Sequence, residues 1–167
     1  MATKVQAQNK ELVRRFMEEV QNEHRYESID ELCQPDQLLD HPEIPEPVRG
    51  TDILREKVQQ MEVALPNMHF TIEDLVAEGD QVAVRFTLRG TQTGPFGPVK
   101  ASGKSIVQSG MTVYDVRDGK LAAARIREDL LAMLDQMGVI PDNPRLLYWM
   151  NKLGVVKVLQ AVGKIPK

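Results

Sequence analysis

The 167-residue chain has one cysteine, no long apolar run and little net charge, and each shortage removes a class of protein. With Cys33 alone, an intramolecular disulfide and any multi-cysteine zinc site are excluded. No stretch of about 18 uninterrupted apolar residues occurs, so no membrane-spanning helix is expected. A net charge of −3 supplies no general attraction to nucleic acid. The three histidines, His24, His41 and His69, lack metal-ligand spacing, so no metal site is expected. The opening "MATKVQAQNKELVRR" has no continuous apolar core, which predicts no secretory signal and a cytoplasmic, reducing setting. Internal repeats and low-complexity segments are missing too. What remains, 42% hydrophobic and 27% charged, is the balance of a folded domain.

The order of patterns predicts an α+β fold. Residues 9–23 place Leu12, Val13, Phe16, Met17 and Val20 on one helical face, with Arg14/Glu18 and Arg15/Glu19 pairs on the other. Ser28 and Glu31 have capping-box spacing for a short helix ending near Cys33. "HPEIPEPVRG" carries three prolines and reads as an extended loop. Thr51 is positioned to cap a third helix through about Leu65. The period then changes to two. "HFTIEDLVAEGDQVAVRFTLRGT" and the pair "GKSIVQSGMTVYDV"/"KLAAARIRED" predict about four long, mostly antiparallel strands. Residues 1–140 form the expected domain, and 141–167 an apolar, basic helical extension containing Trp149. That extension has three readings: a cap on its own barrel, a contact with a partner subunit, or, less in keeping with its short apolar helices, a membrane-surface segment.

One strand concentrates charge. In "AARIRED" the side chains of Arg125, Arg127 and Asp129 recur at period two and therefore share a face. If that face lines a cavity, the arginines hold the carboxylate ionised, available as a base, and stabilise negative charge developing on a substrate oxygen. If it faces water, the same residues are a salt-bridged strand end. "GPVKASGKS" invites comparison with a phosphate-binding loop, but five residues separate Gly97 from Gly103 and a strand follows, so it reads as a hairpin loop.

The pieces "LPNMHFTIEDLVAEGDQVAVRFTLRGTQTGPF", "ASGKS" and "DGKL", with the close from Asp129 to Pro141, resemble the SnoaL-like polyketide and ester cyclases of the nuclear-transport-factor-2-like superfamily. "NKELVRRFMEEV" and "DHPEIPEPVRG" resemble that family's opening helix and histidine-containing loop, so the likeness spans residues 9–141. The resemblance implies a cone-shaped barrel of strongly curved, mostly antiparallel sheet packed on N-terminal helices, enclosing a pocket and usually dimerised through the sheet. It also implies cofactor-free acid/base, aldol-type chemistry on a small, largely apolar carbonyl compound. The family's catalytic aspartate, counted back from Gln136-Met137-Gly138, falls on Asp129. Two positions depart from the family: Arg125 replaces a common tryptophan, and Gln92 replaces the histidine of "GTHTG".

The expected site is therefore Asp129 as acid/base, His41 as an accessory proton carrier, and Arg125 and Arg127 as electrostatic stabilisers. His69, Gln92, Phe86, Tyr114 and Trp149 are candidate ligand contacts, with Met111 as a further wall; His24 is expected to be solvated. Two other functions fit the same pattern. One is a non-catalytic carrier using Arg125 as counter-ion, the other a dimerising scaffold whose interior is filled by side chains.

Overall fold

The computed structural model describes residues 3–140, and the extension with Trp149 lies outside the described residues. Helix α1 (Lys4–Phe16) begins five residues earlier than the apolar periodicity suggests. Thr3 caps it reciprocally, accepting from the Gln6 backbone N–H at 3.2 Å while the Gln6 side chain accepts from the Thr3 N–H at 2.8 Å. After Phe16 the helix widens into a π-helical segment, Met17–Asn22. Its end is pinned to the sheet by Asn22, whose side-chain amide bonds both the N–H and the C=O of Phe70, at 2.8 and 3.2 Å.

His24 then reverses the chain at φ 55° and brings α2 (Ser28–Leu32) back against the π segment. Ser28 consequently does not cap α2: its hydroxyl donates to Glu19 at 2.8 Å, and Glu27 occupies the cap position. Helix α3 (Asp52–Ala64) follows the proline-rich loop and buries Leu54 and Val58.

Four long strands form as expected: β3 (His69–Glu78), β4 (Gln81–Thr91), β5 (Ser105–Arg117) and β6 (Lys120–Glu128). Two more precede them, β1 (Cys33–Asp40) and the short β2 (Val48–Arg49). Strand β1 is hidden in the sequence by Pro35 and Asp36, but Pro35 falls where the register against β6 shifts, a place where a strand tolerates proline. The order is β2-β1-β6-β5-β4-β3, antiparallel except for β1 beside β6. The sheet is open, with β2 and β3 at its edges, and α4 (Leu130–Gln136) follows β6. Among the described residues no helix is long and apolar enough to cross a membrane.

The core lies between the helices and the inner sheet face. Val13, Phe16, Leu32, Leu39, Leu88 and Leu121 are fully buried there, each contributing roughly 1.5–3 kcal/mol of transfer free energy. Cys33 is part of this core, and burial pushes its thiol up to about 12, which leaves it an unreactive thiol. Strand β5 alternates strictly: Ile106, Gln108, Gly110, Thr112 and Tyr114 face inward, Val107, Ser109 and Met111 outward. Gly110 is required by its neighbour, since a Cβ there would stand 2.4 Å from the ring of Phe86 on β4.

Candidate functional site

Alternation on β6 determines what enters the interior. Its inner face carries Ala124, Ile126 and Glu128, registered against Tyr114, Thr112 and Gly110 of β5. Above this face the helices leave a cavity of about 70 Å³. Leu39, Leu54, Phe70 and Phe86 supply apolar wall, and Met17 and Met61 supply flexible thioether wall. Six polar side chains reach it: Gln21, His41, Lys57, Thr112, Tyr114 and Glu128.

His41 and Glu128 form its most enclosed acid–base pair. Their side chains are 10% and 7% exposed, and Nε2 of His41 lies 3.3 Å from Oε1 of Glu128. His41 Nδ1 accepts the backbone N–H of Glu43 at 3.2 Å, so in the neutral ring the proton resides on Nε2, facing the carboxylate. The Nε2–Oε1 approach is electrostatic rather than a well-aligned hydrogen bond, and Glu128 Oε1 has no other polar partner among the described residues. A buried carboxylate held by one imperfect partner is costly, and such strain is typical of functional positions. At the mouth, Lys57 on α3 bonds Glu43 at 2.6 Å and fastens the proline-rich loop that carries His41.

Opposite the pair, Tyr114 is 3% exposed, with its ring edge-on to Phe16 at a centroid separation of 5.8 Å. Among the described residues its hydroxyl has a single acceptor, the Met17 sulfur at 3.9 Å. Burial holds its phenol above the usual range, so it is a neutral donor.

The expected position of Asp129 is corrected by this geometry. Asp129 is exposed and caps α4, Oδ1 accepting the Ala132 N–H at 3.0 Å. Arg125, Arg127 and Asp129 do share a parity, but it is the outer one. Arg125 grips Asp115 with two bonds of 2.9 and 2.8 Å, and Arg127 grips Asp40 with bonds of 3.1 and 2.9 Å. Hydrogen bonds from these guanidiniums lower the carboxyl pKa of Asp115 and of Asp40.

His69 is exposed at the start of β3, opposite Arg89. Gln92 is fully buried but faces its own hairpin, donating to the carbonyls of Gly94 and Lys100 and accepting from Ser102. Met111 is 52% exposed on the outer face and walls nothing. His24 is not solvated: its side chain is 18% exposed and Nδ1 lies 3.2 Å from Glu62, which also accepts from Tyr26. His41, Phe86 and Tyr114 do line the cavity.

Glu128, Lys57, Thr112 and Gln21 are the polar groups that sequence reasoning misses. Glu128 had a signal, as the one acid at period two from Ala124 and Ile126. Gln21 had none, because it reaches the cavity from the π segment, whose widened turn leaves the 3.6-residue period.

Comparison with known proteins agrees with the fold. No curated protein matches the chain. A protein from Jannaschia sp. CCS1 assigned as a SnoaL-like polyketide cyclase is 25% identical, with a TM-score of 0.77 over 84% of this chain and 99% of that one. IdmH from Streptomyces antibioticus, assigned as a polyketide cyclase, is 26% identical, with a TM-score of 0.68 over 78% of this chain and 99% of its own. AclR from Streptomyces galilaeus, assigned as a hydroxylase, shares the fold at 20% identity and a TM-score of 0.73, over 93% of this chain and 97% of its own. Residues 11–137 match the SnoaL-like polyketide cyclase family, and the chain belongs to that family.

Proposed function

We propose that the protein is a cyclase or isomerase that acts on a small, largely apolar carbonyl compound by acid/base chemistry at Glu128, with His41 as its partner. The supporting observation is the enclosed carboxylate–imidazole pair, 3.3 Å apart in an otherwise mainly apolar cavity. Glu128 takes a proton from a carbon next to a carbonyl, leaving an enolate and a neutral carboxyl. The enolate carbon attacks a second carbonyl of the same molecule, forming the ring-closing C–C bond and an alkoxide. The alkoxide recovers the proton from Glu128, so the net change is an isomerisation and no cofactor is consumed. An ester serves equally as the carbonyl that acidifies the α-carbon, the attacked carbonyl being that of a ketone or aldehyde. His41 keeps the carboxylate oriented through Nε2–H.

A volume of about 70 Å³ is small beside common ligand pockets, which run roughly 300–1,000 Å³. The cavity therefore suits a compact guest, and a larger one must displace Met17, Met61 or the His41 loop. The carrier alternative loses its counter-ion, because Arg125 lies on the outer face and is committed to Asp115. We also propose a cytoplasmic homodimer joined through the outer sheet face, where Met111 and Val107 are 52% and 48% exposed.

The test is α-proton exchange into small cyclic ketones in D2O, followed by proton NMR. Exchange above buffer is expected for the native protein, with a loss of about 10³-fold or more in Glu128→Gln at unchanged melting temperature. No exchange above buffer, or equal exchange by the variant, contradicts the proposal.

A further inference from the structure

The cavity holds a second chemical feature, at the end away from Glu128. Thr112 and Tyr114 follow Gly110 at two-residue intervals along the inner face of β5, and Gly110 is the partner of Glu128 in the ladder. Four residues of strand separate the Glu128 and Tyr114 levels, roughly 13 Å between backbones at about 3.3 Å per residue. Both residues line the same cavity, as do Phe86 and Ile126.

Buried tyrosine hydroxyls ordinarily find a strong acceptor. Among the described residues this one, 3% exposed, donates only to a thioether at 3.9 Å, a weak acceptor at long range, while the Thr112 hydroxyl bonds to its oxygen. The Thr112 hydroxyl beside it is 2% exposed. A donor left this poorly satisfied inside an apolar cavity is costly unless something else accepts from it.

We propose that the Tyr114 hydroxyl, supported by Thr112, is the site that binds the carbonyl oxygen, so that the ligand class is a compact neutral ketone held with its oxygen at Tyr114 and its α-carbon toward Glu128. The inference rests on the reading of Glu128 as base and adds the opposite pole. When Glu128 removes the proton, charge gathers on the oxygen, and the bond from Tyr114 strengthens as it does. A hydrogen bond of this kind contributes more to the transition state than to binding. Phenol burial supports the role, since the group stays protonated and able to donate.

The experiment uses cyclopentanone labelled with 13C at the carbonyl, titrated into the full-length protein. The native protein is expected to move the carbonyl resonance downfield and to catalyse α-exchange. Tyr114→Phe should weaken binding only about 3- to 10-fold, the effect of one neutral hydrogen bond. It should abolish the downfield shift and lower exchange by about 10²-fold or more, while leaving the melting temperature within a degree or two. Glu128→Gln should keep the shift and lose exchange. Exchange retained in Glu128→Gln removes the base; a shift and exchange retained in Tyr114→Phe overturn the carbonyl site alone. Failure of the native protein to bind the ketone, or to shift its carbonyl, also overturns the site. Should Tyr114→Phe not fold, 13Cζ-labelled tyrosine in the native protein reads the same contact: the Tyr114 resonance responds to ketone, or the proposal fails.

Discussion

The two faces of β6 carry similar residues in opposite circumstances. On the outer face Arg125 and Arg127 meet Asp115 and Asp40 across the ladder, in water, with two hydrogen bonds each. On the inner face one carboxylate, Glu128, stands among apolar side chains with an imidazole 3.3 Å away. The outer charges are numerous and satisfied, so they fasten strand to strand. The inner charge is single and incompletely satisfied, so it is chemically available. Charge density in the sequence therefore draws attention to the outer face, whereas the enclosed, incompletely satisfied acid lies on the inner one.

Disturbing the inner face has the larger consequence. His41→Gln removes the group facing Glu128 and is expected to slow ketone exchange by about 10²-fold, as read by NMR, at the lower end of what one positioned acid/base group supplies. Gly110→Ala drives a methyl into the Phe86 ring and should cost about 1–3 kcal/mol of stability in a denaturant titration. Disturbing the outer side has smaller effects that leave exchange untouched. Asp129→Ala removes the α4 cap and should cost about 1 kcal/mol. Asp115→Asn loosens the Arg125 pair, whose partners are partly exposed and solvent-screened, so the loss at pH 7 stays below about 1 kcal/mol. That loss has a definite pH dependence. The folded-state pKa of Asp115 lies below its ordinary 3.8, so the stabilisation is fully present above that value. It disappears as pH falls through the lowered one, so melts of the variant and the native protein should converge once the pH is below both values.

Much of the fold was legible because the period-two runs from His69 onward are long, with only local shifts such as that between Ile72 and Asp74, and the alternation in 105–117 is nearly perfect. Strand β1 was not, since its Pro35 and Asp36 occupy an irregular stretch whose pairing is set by β6, about 85 residues away. The first helix was found but its start was misplaced, because Thr3 and Gln6 act by capping and contribute nothing to the apolar stripe. At the site, the histidine loop and the Tyr114 and Phe86 walls followed from pattern. The acid that faces the cavity is one residue before the expected one, and in a strand one residue is a whole face. Counting from the Gln136-Met137-Gly138 motif selects a helix cap; the apolar phase of Ala124 and Ile126 selects Glu128.

Glu128 and Asp129 are adjacent acids whose side chains face opposite surroundings, so their amides separate the two faces directly. In ketone α-proton exchange, Glu128→Gln should lose about 10³-fold or more, while Asp129→Asn, which keeps a capping oxygen, should stay within about twofold of the native rate. The reverse pattern, activity surviving at 128 and vanishing at 129, would contradict the assignment of chemistry to the inner face.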